Sequence, residues 1–445
     1  MISSSETQPS VIEFPSERRD YSRAEHGISR KQISEGALKV LYRLSNAGFG
    51  AYLVGGSVRD LLIGQRPKDF DIATDAHPEQ VRELFRRSRL IGRRFRLAHV
   101  RMGPEVIEVA TFRAPPDATE NDNDTSPDGR ILRDNVYGTL EDDVWRRDFT
   151  INSLYYNIAD FSVIDYAGGV KDIERKIIRL IGDPQVRLRE DPVRMLRAAR
   201  FAAKLDFEIE PGLHDAVKSM GNLLDDISPA RLFDEVLKMF QGGCAAPTFE
   251  CLERFDLFSC LFPATDQAMR FAEGGAYRHL IAQALINTDG RLREGKSITP
   301  GFLFAALLWP ALDSERDRLK ALEIPDAEAT QLAIDTVISQ QVAQTAIPRR
   351  FSQMTRDIWS LQHRLLRPAP RRVQRTFEHP RFRAAYDFLL LRASVDKELE
   401  EQAQWWTEFQ EQHDDSRGQM IDRLKPTKRR RRRRRRRSGD QEHGG

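Results

Sequence analysis

LVGGSVRDLLIGQRPKDFDIAT, Leu53 to Thr74, is the stretch on which the reading of the fold turns. Ala51 to Val54 has the character of a buried strand, Gly55 and Gly56 interrupt it, and Ser57 to Ile63 resumes with helical spacing. Paired glycines between a strand and a helix leave bare backbone N–H groups at the helix start, where Ser57 can also cap, and a phosphate chain can approach closely. A Gly-Gly turn alone can equally be a tight connection. The acids beyond it are more specific: Asp69-Phe70-Asp71-Ile72 falls in a predicted strand, Phe70 to Ala73, where alternation sends both carboxylates to one face and Phe70 and Ile72 to the other.

Two acids at that spacing can share divalent cations with nucleotide phosphates, since carboxylate and phosphate oxygens are the ligands Mg²⁺ prefers. A solvated strand face is the alternative, and it leaves the like charges unexplained. Two acids under-ligate a two-metal cluster, so a third is expected from a neighbouring strand. Glu108 in EVIEVATFR is the candidate, because an acid in an otherwise apolar strand needs a metal or a partner unless it faces water on an edge. Arg113 closes the same segment as a candidate for nucleotide binding.

Outward from this centre, Gln32 to Ser45 has helical periodicity ended by Gly48, and Glu79 to Arg89 reads as a helix with Pro78 at its first turn. Leu97 to Met102 and Val106 to Phe112 read as strands, Pro115 to Arg130 as a flexible acidic loop, and Val163 to Tyr166 as a strand or hairpin. After Asp172 helical periodicity dominates to about Glu411, broken at Pro211, Gly242, Pro263, Pro325 and Pro368. The expected fold is α+β: a small mixed β-sheet head followed by an elongated all-helical neck, body and tail. The expected division is a flexible leader over 1–30, a head over 31–170, a neck over 171–235, a helical RNA-binding body over 236–425 and a disordered Arg-rich end over 426–445.

Two further constellations carry chemistry. VWRRDFTINSLYY, Val144 to Tyr156, sets Arg146, Arg147, Asp148 and Asn152 among apolar residues. Its arginines can neutralise triphosphate, and Asp148 can accept from a ribose hydroxyl or complete the acidic site; a salt-bridged surface is the plain alternative. In REDPVRMLRAARFAAKL, Arg189 to Leu205, Asp191 precedes Pro192 at a helix start, so Asp191, Arg194 and Arg197 follow along one edge. A fixed carboxylate acceptor beside a guanidinium donor can read a base edge without a template, although capping alone also accounts for Asp191.

Of 445 residues 40% are hydrophobic and 31% charged, which excludes global disorder. The apolar run Phe302 to Trp309 ends at Pro310, far short of the roughly 20 residues a bilayer span needs. The first 20 residues lack an apolar core segment, so no secretory signal is read and a cytoplasmic protein is expected. Cys244, Cys251 and Cys260 lack metal-ligand spacing and read as reduced packing residues. Net charge is +3, yet Lys428 to Arg437 alone carries +10, which leaves −5 on residues 1–427 once Asp440 and Glu442 are counted. An acidic body with a cationic end points to a polyanionic partner. Lys428, Arg429, Arg430, Arg431, Arg432 and Arg433 suit phosphate contacts without sequence reading. Further basic clusters at Arg349 and Arg350 and around Arg367 to Arg375 lie near Phe351 and Trp359, which offer stacking surfaces or, equally, core aromatics.

The glycine turn with Asp69 and Asp71, the Arg-Arg-Asp segment and the Asp191 helix occur in the order found in class II polymerase β-type nucleotidyltransferases, and between Leu53 and Phe201 the sequence resembles that branch, which holds bacterial poly(A) polymerases and tRNA CCA-adding enzymes. HGISRKQIS, LIGRRFRLAHV and the Arg-rich end resemble the poly(A)-forming members. The resemblance implies Asp69 and Asp71 as metal ligands, Asp191 and Arg194 as base-selecting residues, two Mg²⁺ ions, and AMP transfer from ATP to the 3′ ends of RNA, both messenger and structured small RNAs. RNA-decay proteins are implied as possible partners. Gly55, Gly56, Ser57 and Arg59 are expected to cradle phosphate, Asp148 to act in catalysis, and Arg113, Arg147, Asn152 and Arg197 to contact nucleotide. CCA addition to tRNA and a catalytically silent RNA-binding protein are the competing readings. His214-Asp215 and His413-Asp414 lack the other ligands of a metal phosphohydrolase and read as solvated helix residues.

Overall fold

The computed structural model describes residues 17–92, 96–114 and 136–424. The loop expected over 115–130, the first 16 residues of the leader and the Lys428 to Arg433 cluster lie outside them.

Eight strands make one mixed sheet: β1 (Arg19–Tyr21), β2 (Ala51–Val54), β3 (Asp71–Thr74), β4 (Ser88–Ile91), β5 (Leu97–Met102), β6 (Glu105–Thr111), β7 (Tyr155–Asn157) and β8 (Val163–Asp165). Their spatial order is β1-β8-β7-β2-β3-β6-β5-β4, and β3 with β6 is a parallel pair among antiparallel neighbours. Helix α1 (Glu35–Asn46) is capped by the Ser34 hydroxyl and lays Val40, Leu41 and Leu44 on one sheet face against Leu53, Ile72, Val100 and Val109. The other face carries a smaller apolar cluster over the central strands β7, β2 and β3, with Val54, Ala73, Phe112 and Tyr155. Glycine-turn helix α2 (Gly56–Leu62) follows β2, and α3 (Pro78–Leu84) follows β3.

Two expectations change here. The helix expected over Glu79 to Arg89 stops at Leu84, and Ser88–Ile91 forms the edge strand β4 instead, gaining a ladder with β5. Within the leader expected over 1–30, the described residues are held to the sheet: Arg19–Tyr21 pairs with Val163–Asp165, and His26 Nε2 lies 2.9 Å from the Phe161 carbonyl oxygen.

The remainder is mainly helical. The chain forms two compact units, the first comprising 1–270, 285–298 and 339–347, the second 271–284, 299–338 and 348–445. In the first, α4 (Leu140–Trp145), α5 (Pro184–Glu190), α6 (Val193–Leu205) and α7 (Pro229–Phe240) follow the sheet strands that precede them. In the second, α8 (Pro300–Leu307) crosses α9 (Arg349–Leu366) so closely that a Cβ on Gly301 would meet Met354 Cβ at 2.8 Å. Trp359 is 1% exposed and donates its indole N–H to the Ala305 carbonyl at 3.1 Å. It is a core residue, and of the two aromatics offered for stacking only Phe351 keeps surface.

Candidate active site

Gly55 takes φ 73° and ψ −135°, a conformation essentially confined to glycine, as the chain turns from β2 into α2. A Cβ at this position would stand 3.7 Å from Arg147 Nη1, so bare backbone and a guanidinium share one recess. The buried Ser57 hydroxyl donates to the Val54 carbonyl at 3.0 Å.

Asp71 opens β3, and the parallel register sets it opposite Glu108 on β6. Side chains directly opposite share a sheet face. Asp69 stands two residues ahead, in the bend before the strand, and all three acids reach solvent. The Asp71 carboxyl is pushed up to about 6, first by the protein crowded around it, then by Glu108 and by Asp69, against the pull of Arg147. Among the described residues neither Asp69 nor Asp71 has an ion-pair partner, and Glu108 Oε1 lies 3.1 Å from His99 Nε2. No three such side chains among the described residues already close into a metal-sized group. A carboxyl whose ionisation is opposed by two neighbouring acids, close to a turn of bare backbone N–H groups, gains from a divalent cation whose remaining ligands are phosphate oxygens and water, so the donor set fits Mg²⁺.

Arginines gather on the other side of the glycine turn. Arg147 donates from Nε to the Tyr155 hydroxyl at 2.7 Å and from Nη2 to Asp143 at 2.9 Å. Arg146 is pushed down to about 9 by burial and by Arg113, Arg147 and Arg187, and Arg187 to about 10 by burial and Arg194. Guanidiniums that repel one another in a partly dry recess favour a polyphosphate. Arg187 Nη2 also donates to the carbonyls of Arg146 and Arg147 at 2.9 and 2.6 Å, fastening α5 to this segment.

Four expected roles meet different surroundings. Arg59 is 2% exposed and donates to Asp60 at 2.9 and 2.6 Å and to Asn152 Oδ1 at 2.6 Å, so it braces the turn from behind rather than cradling phosphate. Asp148 accepts from Arg197 Nε at 2.7 Å and from the Phe149 N–H at 2.8 Å, which joins it to α6 and not to the acids of β3 and β6. Arg197 is correspondingly an ion-pair partner of Asp148 and not a free nucleotide contact. Asn152 links the two, holding Arg59 through Oδ1 and Asp148 through Nδ2 at 3.4 Å. Asp191 receives Arg231 Nη2 at 2.7 Å, and Arg194 donates to Glu190 at 2.9 Å, so this carboxylate and guanidinium are each held in place.

Comparison with known proteins identifies the family of the chain. A family described as "Poly A polymerase head domain" matches residues 51–179, "Probable RNA and SrmB- binding site of polymerase A" matches 206–269, and "Polymerase A arginine-rich C-terminus" matches 323–438. Poly(A) polymerase I of Salmonella typhi is 52% identical over 87% of this chain and 85% of its own, and that of Haemophilus influenzae 46% identical over 91% of each. The chain belongs to the poly(A) polymerase I family. Members of the poly(A) polymerase I family and CCA-adding enzymes share a fold: a Bacillus stearothermophilus CCA-adding enzyme in complex with CTP superposes with TM-score 0.53 at 25% identity, covering 83% of this chain and 81% of its own. The sequence match to the CCA-adding enzyme of Bacillus subtilis, 39% identical, spans only 50% of this chain. As a poly(A) polymerase, the protein is a nucleotidyltransferase that adenylates RNA.

Sequence reasoning missed Tyr155, Asp143 and His99. Tyr155 was hidden as one more apolar residue of a strand. His99 carried a usable signal: the Gly103-Pro104 hairpin turn fixes a register that pairs it with Glu108.

Proposed function

We propose that Asp69, Asp71 and Glu108 hold two Mg²⁺ ions, and that Gly55, Gly56 and Arg147, with Arg113 and Arg146 behind them, receive the ATP triphosphate. When bound, the ions would lower the pKa of the primer 3′-hydroxyl and offset charge on the departing pyrophosphate. The chain's own part is to orient: the Gly55 turn presents backbone N–H groups, Arg147 is aimed by Tyr155 and Asp143, and Ser57 fixes the helix start. Asp191 and Arg194, each fixed by a neighbouring charge, are the base-selecting pair, since rigid placement of acceptor and donor is what reading a base edge without a template requires. The observation that carries the assignment is the cross-strand pairing of Asp71 with Glu108 beside the glycine turn.

The division into leader, head, neck and RNA-binding body is proposed on the same grounds, with the strand Arg19–Tyr21 counted with the head. The Lys428 to Arg433 cluster is proposed to grip RNA backbone. A cytoplasmic site of action, with RNA-decay proteins as partners and RNA turnover as the outcome, completes the reading. Purified protein given an unstructured RNA primer, Mg²⁺ and each ribonucleoside triphosphate separately should extend it only with ATP. Incorporation of CMP on a truncated tRNA would move the assignment to CCA addition.

A further inference from the structure

The sheet carries a second electrostatic feature, on the side of the acids away from the glycine turn. The ladders align Arg89 of β4 with His99 of β5, His99 with Glu108 of β6, and Glu108 with Asp71 of β3. Four side chains therefore stand in one row across the sheet, on the face opposite α1. The Arg101 N–H donates to the Arg87 carbonyl at 2.9 Å, extending the β4–β5 ladder. Arg87 and Arg101 so flank the row, two residues along from Arg89 and His99 on the same face. With Arg86 and Val106 these residues line an open groove of about 730 Å³.

Its charge is not neutralised from within. Arg86, Arg87, Arg89 and Arg101 are all exposed, and among the described residues none has a carboxylate partner; Arg101 reaches only the Gly103 carbonyl at 3.5 Å. Arginine on an edge strand can serve simply to discourage pairing with another sheet. That explanation covers Arg87 and Arg89 but not Arg101, which stands on an interior strand and adds to the same patch.

We propose that this groove carries the backbone of the RNA primer next to its 3′ end, a reading that rests on the assignment of Asp71 and Glu108 as the reaction centre. Three strand spacings place Arg89 roughly 14 Å from Asp71, within the span of a primer's last nucleotides. The direction follows from the chemistry. In phosphoryl transfer the attacking and leaving oxygens lie roughly in line across the phosphorus. The triphosphate recess adjoins β2 on one side of β3, so the primer hydroxyl must come from the other side, where β6, β5 and β4 lie. The only chemistry asked of the groove is guanidinium contact with phosphodiester oxygens, which is indifferent to sequence and suits a primer that changes with each addition. His99 marks the point where the basic groove meets the acidic centre.

The test is the full chain carrying Arg87→Gln, Arg89→Gln and Arg101→Gln together. Binding of a fluorescent short oligoadenylate is followed by anisotropy across a salt series, without nucleotide or divalent ion, and KM is measured separately for primer and for ATP. Loss of three phosphate contacts predicts at least a tenfold weaker affinity and a salt dependence shallower by about 2, at roughly 0.7 per contact on a single strand, with the kinetic loss falling on the primer KM. Wild-type affinity and slope in a variant with a native circular dichroism spectrum would overturn the proposal. If the triple variant does not fold, Arg89→Gln alone is scored in the same way, with a slope change of about 0.7. Asp71→Ala separates the two readings: loss of AMP incorporation with oligoadenylate binding retained upholds the reaction centre whatever the groove variant does.

Discussion

Asp148→Ala isolates the brace between the segment beside the glycine turn and helix α6. The carboxylate, 15% exposed, accepts from Arg197 Nε at 2.7 Å and Nη2 at 2.5 Å and from the Phe149 N–H at 2.8 Å. Truncation leaves a guanidinium without counter-charge and a backbone N–H without acceptor. Breaking a buried pair from one side costs about 3–5 kcal/mol. Arg197 keeps 30% of its side chain in solvent and can turn part of its charge to water, so the low end, about 3 kcal/mol, is expected. Removing both partners should recover part of it, with a coupling energy of about 1–3 kcal/mol in a double-mutant cycle with Arg197→Ala. Burial pushes the Asp148 carboxyl up, but Arg197 and the Phe149 N–H outweigh it and leave it below its ordinary value. This contribution is therefore complete above the unfolded value of about 3.9 and is lost as pH falls through the lower folded value. Urea unfolding followed by circular dichroism at pH 7 and at acid pH measures both. A variant within about 0.5 kcal/mol of wild type at pH 7, or strict additivity with Arg197→Ala, would refute the brace.

Gly55→Ala forces an alanine into a conformation that should cost about 1–3 kcal/mol, whereas Gly56→Ala, inside α2, should leave thermal stability nearly unchanged; scanning calorimetry compares them. Asp71 is pushed up to about 6, so in metal-free protein its stabilising contribution is present below about 3.9 and lost as pH rises through 6. Asp71→Asn should therefore raise the urea midpoint over wild type at pH 8 and not at pH 4. Tyr155 is fully buried and donates its hydroxyl to Asp143 at 2.6 Å while accepting from Arg147. Tyr155→Phe should cost about 1–3 kcal/mol and raise the ATP KM while the primer KM stays, as steady-state kinetics would report.

Local pattern carried much of the fold. Ala51–Val54 falls between Gly50 and Gly55 as a buried run, and Leu97–Met102 alternates in burial up to Gly103, where the sequence pattern puts each of them. The edge strand Ser88–Ile91 was absorbed into the preceding helix, since alternation sets Arg89 on the same face as Ile91, which blurs the apolar period, and no Gly or Pro separates the strand from Arg86 and Arg87. Arg19–Tyr21 is three residues long and becomes a strand only through a partner more than 140 residues away, which no local signal announces. Asp71 and Glu108 could be singled out because carboxylates in apolar strands are costly unless a partner or a metal meets them. The fates of Arg59, Asp148 and Arg197 were not, because charge alone does not say which of many possible partners the tertiary fold supplies.

The central claim is that Asp69, Asp71 and Glu108 jointly hold divalent ions beside a nucleotide. Mn²⁺ bound to the protein with a non-hydrolysable ATP analogue, counted by electron paramagnetic resonance in wild type and in Asp71→Ala, tests it most directly. Two ions in wild type and loss of Mn²⁺ binding in the variant are predicted; undiminished binding by Asp71→Ala would contradict the account.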